Sequence, residues 1–223
     1  MASGETARVG TAPDNVAGLL GRFEVEAPPV GSAGAAVTIL LRDGEREVET
    51  LLIERTESET DPASGQVAFP GGRVEESDGS LGVTALRELQ EEVGLVEADL
   101  AGPLRFVDTV RATRFGLTVA VFASAIGPGG HAPSPLSRDE VAHVFWMPRS
   151  ALGHTRTVER DTPYGTRTVP ATVFEGHILW GFTRRVIRNF FELPTEDELG
   201  GPAFAPDPQR HRTGDADASL REG

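Results

Sequence analysis

Apolar residues along this chain change their period more than once. Between Ala35 and Glu54 they gather in two short strand-like runs, Ala35–Leu41 and Val48–Glu54, separated by Asp43-Gly44, a pair suited to a tight turn. Those runs predict a β-hairpin. From Leu81 to Val93 the apolar residues Ala85, Leu86, Leu89 and Val93 recur at three- and four-residue intervals, and Gly94 follows where a helix C-cap belongs. An amphipathic helix is predicted there. Further on, Arg105–Val110, Leu117–Ala125 and Val141–Met147 read as strands, with a turn at Arg114-Phe115-Gly116 and a Gly/Pro loop at 127–135. Ile178–Phe191, with Trp180, Phe182, Ile187 and Phe190, reads as a final helix. Near the start, Asp14 is expected to cap a short helix with Val16, Leu19, Leu20 and Phe23 on one face. Residues 1–13 and 196–223 lack such patterning and read as a mobile tail and a disordered acidic tail around one domain at 14–195. Strands flanking a central helix, with another helix at the end, predict an α/β fold in which a mixed sheet lies between helices.

The predicted helix at 81–93 also carries the chemistry. At about 100° per residue, Glu88, Glu91 and Glu92 share one arc beside the apolar stripe, and Arg87 lies one turn before Glu91. Three carboxylates crowded in the C-terminal half of a helix repel one another and oppose the macrodipole, and a bound cation removes both penalties. A solvated acidic face is the plain alternative. The loop Phe69-Pro70-Gly71-Gly72 upstream favours the site, since its glycines let backbone approach a ligand closely. The donors are hard oxygens and the chain has no Cys, so Mg²⁺ or Mn²⁺ is expected rather than zinc.

This segment resembles the Nudix box, G-x5-E-x7-R-E-U-x-E-E-x-G-U with U a bulky aliphatic. Arg87-Glu88-Leu89-Gln90-Glu91-Glu92-Val93-Gly94-Leu95 matches every defined position of its second half. In the first half, the sixth residue after Gly72 is Asp78 instead of Glu, and eight residues instead of seven separate it from Arg87. That shift, with Thr84-Ala85-Leu86 before the Arg-Glu pair, resembles the coenzyme A pyrophosphatase branch. Leu51-Leu52-Ile53-Glu54-Arg55, Gly65-Gln66-Val67-Ala68-Phe69-Pro70, Asp139-Glu140-Val141, Trp146-Met147-Pro148 and Trp180-Gly181-Phe182-Thr183 are similar to further elements of that branch. One departure stands: Glu57–Ser64 holds neither the Arg nor the His that the branch carries there.

The resemblance implies a Nudix-like α/β/α sandwich with a mixed β-sheet and a metal-dependent hydrolase of nucleoside diphosphate conjugates. Coenzyme A, cleaved to 3′,5′-ADP and 4′-phosphopantetheine, comes first. ADP-ribose, dinucleotides or nucleotide sugars are the enzyme alternative, and a non-catalytic Nudix-fold binding domain is the other. In this reading Glu88, Glu91, Glu92 and the Gly72 carbonyl hold the metal, and Arg87 orients Glu91. Glu140 is the candidate general base, against a solvated loop Glu. His143 reads as a surface or packed residue and His177 as a core or helix-capping one. Arg111 and Arg114, placed on a loop, are candidates for phosphate binding, and Tyr164 for stacking on a base.

Composition narrows the partners. The net charge of −13 opposes nucleic acid and anionic membranes, leaving a small-molecule nucleoside diphosphate as the expected partner. All 21 basic residues are Arg, so any phosphate grip must use guanidinium groups. No apolar run reaches the roughly 18 residues of a membrane span, and a cytoplasmic location is the default. A homodimer remains open as the assembly.

Overall fold

The computed structural model describes residues 12–58, 64–112, 116–162 and 165–194. The tail assignments, Arg114 and Tyr164 fall outside these, apart from Ala12 and Pro13. The two predicted runs form β1 (Ala35–Asp43) and β2 (Val48–Arg55), joined through the Asp43-Gly44 turn and antiparallel where Leu41–Asp43 meet Val48–Thr50. Beyond that stretch the two strands splay apart. Into the gap runs the Phe69-Pro70 segment, flanked by β3 (Val67–Ala68) on β2 and β4 (Gly71–Arg73) on β1. The Thr38 N–H donates to Pro70 O at 2.9 Å and closes the wedge. The glycine motif expected as a loop is thus partly strand. Gly71 adopts φ +151°, and a Cβ there would lie 2.6 Å from the Val37 Cα, so only glycine fits.

The sheet has seven strands. β6 (Leu117–Ala125) runs parallel to β1, β5 (Arg105–Ala112) forms the far edge, and β7 (Val141–Pro148) pairs with β2. All pairings except β1·β6 are antiparallel, so the sheet is mixed as expected. Side-chain alternation divides the core. Ala36, Leu40, Leu51, Ile53, Ala120 and Phe122 face α2 (Leu81–Val93), which buries Leu81, Ala85, Leu89 and Val93 on them. At about 1.5–3 kcal/mol per large apolar side chain, that stripe is the main force fixing α2 on the sheet. On the opposite face, Ile39, Leu41, Leu52, Val121 and Ala123 meet Val16 and Leu19 of α1 (Val16–Leu20) and Val186, Ile187 and Phe190 of α3 (Gly181–Phe190).

Four expectations need correction. The cap of α1 is Asn15, whose side chain accepts from the Gly18 N–H at 2.8 Å, while Asp14 pairs with Arg149. Ile178–Phe191 is not one helix: β10 (His177–Trp180) precedes α3, and Gly181 at φ +66° breaks the chain between them. A second sheet was not foreseen, in which β8 (Arg156–Thr162), β9 (Gly165–Phe174) and β10 run antiparallel. β8 and β9 mix charged and β-branched residues and show no long run of apolar ones. Arg111 lies within β5, not on a loop, opposite Thr118. Among the described residues no helix is long and apolar enough to cross a membrane.

Candidate active site

The site is built where α2 crosses the glycine wedge. Ser80 caps the helix by accepting from the Val83 N–H at 3.1 Å, and Gly94 ends it in the left-handed conformation at φ +75°. Its two ends are therefore fixed by side chain and backbone alike. On the face toward β4, Arg87 is the hub. Its Nε and Nη2 donate to the two carboxylate oxygens of Asp78 at 3.2 and 3.1 Å, a fork that a guanidinium matches well. Nη1 donates to Glu88 and to Glu91, each at 2.9 Å, and Nη2 also reaches Arg73 O at 2.9 Å.

Asp78, the departure from the box pattern, thereby acquires a role. It is buried, and it also accepts from the Glu75 N–H and the Thr84 hydroxyl at 2.9 Å each. The Arg87 hydrogen bonds, helped by those two donors, hold its carboxyl down at about 2. Arg87 in turn is pushed further up by Asp78 first, then by Glu88 and Glu91. A shorter side chain set one residue further from Arg87 still closes the fork. Thr84 is buried for the same reason, as the hydroxyl donor beneath Asp78.

Glu88 and Glu92 face the glycines. The Glu88 carboxylate fills the space beside Gly72, where a Cβ would lie 2.6 Å from the Glu88 Cδ, so a larger residue at 72 would have to displace that carboxylate. Glu92 is 1% exposed, and its Oε2 accepts from the Gly71 N–H at 2.9 Å. Oε1 stands 3.5 Å from Arg55 Nη1, a cation supplied by the end of β2. Burial pushes the Glu92 carboxyl up to about 8, with Glu88 and Glu140 adding to the rise and the Gly71 N–H and Arg55 opposing it. Glu88 is raised as well, chiefly by burial, against the pull of Arg87. Glu91, with a side chain 56% exposed, projects outward and is held by Arg87.

Glu140 is exposed at the start of β7 and adds repulsion at both Glu88 and Glu92, which places it in the same cluster. Its backbone is fixed by hydrogen bonds from its N–H to Ser137 O and from the Thr56 N–H to its own carbonyl. The structure thus gathers Gly72, Arg87, Glu88, Glu91, Glu92 and Glu140. Among the described residues no three His, Cys, Asp or Glu side chains stand ready-made around one point, because Arg87 draws Glu88 and Glu91 to itself.

Sequence reasoning missed Arg55 as a partner of Glu92 and read the position of Asp78 without its role. The histidines lie elsewhere. His177, on β10 and not at a helix end, pairs its Nδ1 with Glu54 Oε2 at 2.8 Å and stacks on Phe145 at 3.9 Å between ring centroids. His143 meets His177 edge-on at 5.8 Å. Glu54 alternates with Ile53 and Arg55, so this group lies on the sheet face opposite α2.

Comparison with known proteins agrees with this geometry. The NUDIX domain family matches residues 33–167. A Nudix hydrolase called NudL from Citrobacter koseri, itself uncharacterized, is 33% identical over 76% of this chain and 89% of its own length. The NudL of Cronobacter sakazakii is 32% identical over the same shares. The crystal structure of a MutT/nudix family protein from Enterococcus faecalis, 20% identical, superposes over 75% of this chain and 64% of its own with a TM-score of 0.50, a likeness of fold. The chain belongs to the Nudix family and is a Nudix pyrophosphohydrolase.

Proposed function

We propose that this enzyme hydrolyses the diphosphate of coenzyme A or its derivatives to 3′,5′-ADP and 4′-phosphopantetheine, with Mg²⁺ or Mn²⁺ held by Glu88, Glu92 and the Gly72 carbonyl and supported by Glu91. The observation that carries the reading is the meeting of a half-buried carboxylate, Glu88, and a buried one, Glu92, with the backbone of Gly71 and Gly72. The donor set fits the ion: all ligands are oxygen, and the raised affinity of Glu88 and Glu92 for protons marks negative charge that their surroundings under-compensate. A divalent cation supplies charge for the diphosphate oxygens and acidifies a bound water.

The chain's residues divide the remaining work. Arg87, locked by Asp78, holds Glu88 and Glu91 in place without touching substrate. Arg55 and the Gly71 N–H fix the two oxygens of Glu92. Glu140 takes the proton of the attacking water; as the water oxygen bonds to phosphorus, the bond from phosphorus to the bridging oxygen breaks and two phosphate monoesters leave. Coenzyme A is favoured by Thr84-Ala85-Leu86, Trp146-Met147-Pro148 and Trp180-Gly181-Phe182-Thr183, and Thr84 now has a physical part in the Asp78 fork.

Side-by-side kcat/KM values for coenzyme A, ADP-ribose, dinucleotides and nucleotide sugars test the substrate, since that ratio measures discrimination. Coenzyme A is expected to lead. A tenfold advantage for ADP-ribose or a dinucleotide, about 1.4 kcal/mol of transition-state preference, overturns the substrate and leaves the chemistry intact.

A further inference from the structure

The turn that carries Glu140 is held from two sides. Glu140 and Val141 both donate their N–H groups to Ser137 O, at 3.0 and 2.7 Å, so residues 137–141 form a single helical turn. One turn has little stability of its own, because nucleating it fixes several dihedrals for each bond gained. Its orientation is therefore set by its attachments. Just before it, the Ser134 and Leu136 N–H groups donate at 3.1 Å each to Val93 O and Glu92 O, two carbonyls that the end of α2 cannot satisfy within the helix. Leu136 also lies over Gly94, where a Cβ would come within 3.3 Å of its Cδ1. The approach to the turn is thus docked on the backbone of Glu92, whose side chain is a proposed metal ligand.

The second attachment is Thr56, the residue after β2. Its N–H donates to Glu140 O at 2.9 Å and its hydroxyl to Arg138 O at 3.1 Å. Both bonds fall on the same turn, and two points of attachment fix an orientation that one would leave free to hinge. Arg55, immediately before, sets its Nη1 3.5 Å from Glu92 Oε1, so consecutive residues of one chain segment hold a metal ligand and the turn bearing Glu140. Repulsion works against this arrangement, since Glu88, Glu92 and Glu140 carry like charge in one cluster. Among the described residues the Glu140 side chain makes no hydrogen bond or ion pair of its own. Its carboxylate is kept beside the others by its backbone.

We infer that Thr56 is a positioning residue for the reaction: its hydroxyl on Arg138 O, acting with its N–H on Glu140 O, aims the Glu140 carboxylate at the attacking water. The inference rests on the reading of Glu140 as the general base given above. A base misplaced by about 1 Å can cost on the order of a hundredfold in rate, so the loss of one of the two Thr56 bonds should cost about tenfold. Thr56→Val removes the hydroxyl while keeping the N–H and the shape of the side chain. Thr56→Ser keeps the hydroxyl.

The test measures kcat, KM and Mn²⁺ affinity for the wild type, Thr56→Val, Thr56→Ser, Glu140→Gln and Thr56→Val/Glu140→Gln. The substrate is coenzyme A, or whichever of the diphosphates compared above turns over fastest. Thr56→Val should lower kcat about tenfold with KM and Mn²⁺ affinity unchanged, and Thr56→Ser should restore most of the loss. In the Glu140→Gln background Thr56→Val should cost nothing further, because the group it aims is already gone. An equal loss in both backgrounds means that Thr56 supports the fold and does not act through Glu140, which overturns the inference. Wild-type kcat in Thr56→Val beside a large loss in Glu140→Gln overturns it too, and leaves Glu140 as the base. Wild-type kcat in Glu140→Gln removes the base assignment and the inference with it.

Discussion

Replacing Asp78 with Ala probes the part of the site that departs most from the family pattern. The substitution removes the acceptor of four hydrogen bonds, two from Arg87 and one each from Glu75 and Thr84. The drop of its carboxyl from 3.8 to about 2 corresponds, at 1.36 kcal/mol per pH unit, to about 2 kcal/mol favouring the charged form in the fold. Removing one partner of a buried pair costs about 3–5 kcal/mol, and Arg87, 19% exposed, regains part of that from water. A loss of about 2–4 kcal/mol is therefore expected from urea unfolding at pH 7. The pH dependence has a definite sign. A depressed carboxyl contributes stability above its unfolded value of 3.8 and loses it as pH falls through about 2, so the gap between wild type and Asp78→Asn should narrow in that window. Freed from its fork, Arg87 should also release Glu88 and Glu91, and kcat should fall by about tenfold or more. An Asp78→Ala protein within about 0.5 kcal/mol of wild type and of equal kcat would refute this reasoning.

Three other outcomes follow from the same geometry. Glu92, raised to about 8, opposes folding increasingly as pH rises from 4.5 through 8, so the metal-free protein should lose melting temperature across that range. Glu92→Gln should flatten the loss, and a Gln variant with the wild-type profile would contradict it. Gly72→Ala should displace the Glu88 carboxylate and depress kcat by at least tenfold while the far-ultraviolet circular dichroism stays native; retained kcat would show that Glu88 is not held there. Glu140→Gln should lower kcat by about a hundredfold, and retained kcat would exclude Glu140 as the base.

How much of this was legible in sequence depended on how local each signal was. The limits of α2 were readable because the apolar period and Gly94 lie within one short window and agree. Arg87 with Glu91 was readable for the same reason, as an i,i+4 pair. The division between β10 and α3 was obscured because His177-Ile178-Leu179-Trp180 is apolar enough to extend a helical stripe, and only the left-handed Gly181 marks the break. β8 and the outer half of β9 carry little apolar surface, so no hydrophobic period announced them. Arg55 on Glu92 and Glu54 on His177, the latter 123 residues apart, depend on which strand ends the sheet brings together, and no local pattern encodes that.

Titration with Mn²⁺, followed by electron paramagnetic resonance alongside hydrolysis of coenzyme A, tests most directly that Glu88 and Glu92 hold the ion that activates the diphosphate. The wild type should bind Mn²⁺ and turn over only in proportion to the bound ion, with chelation abolishing both. Glu92→Gln should weaken Mn²⁺ binding at least tenfold and lower kcat by about a hundredfold, the scale of several kcal/mol of lost charge stabilisation. A Gln variant that binds Mn²⁺ and hydrolyses coenzyme A as the wild type does would contradict the account.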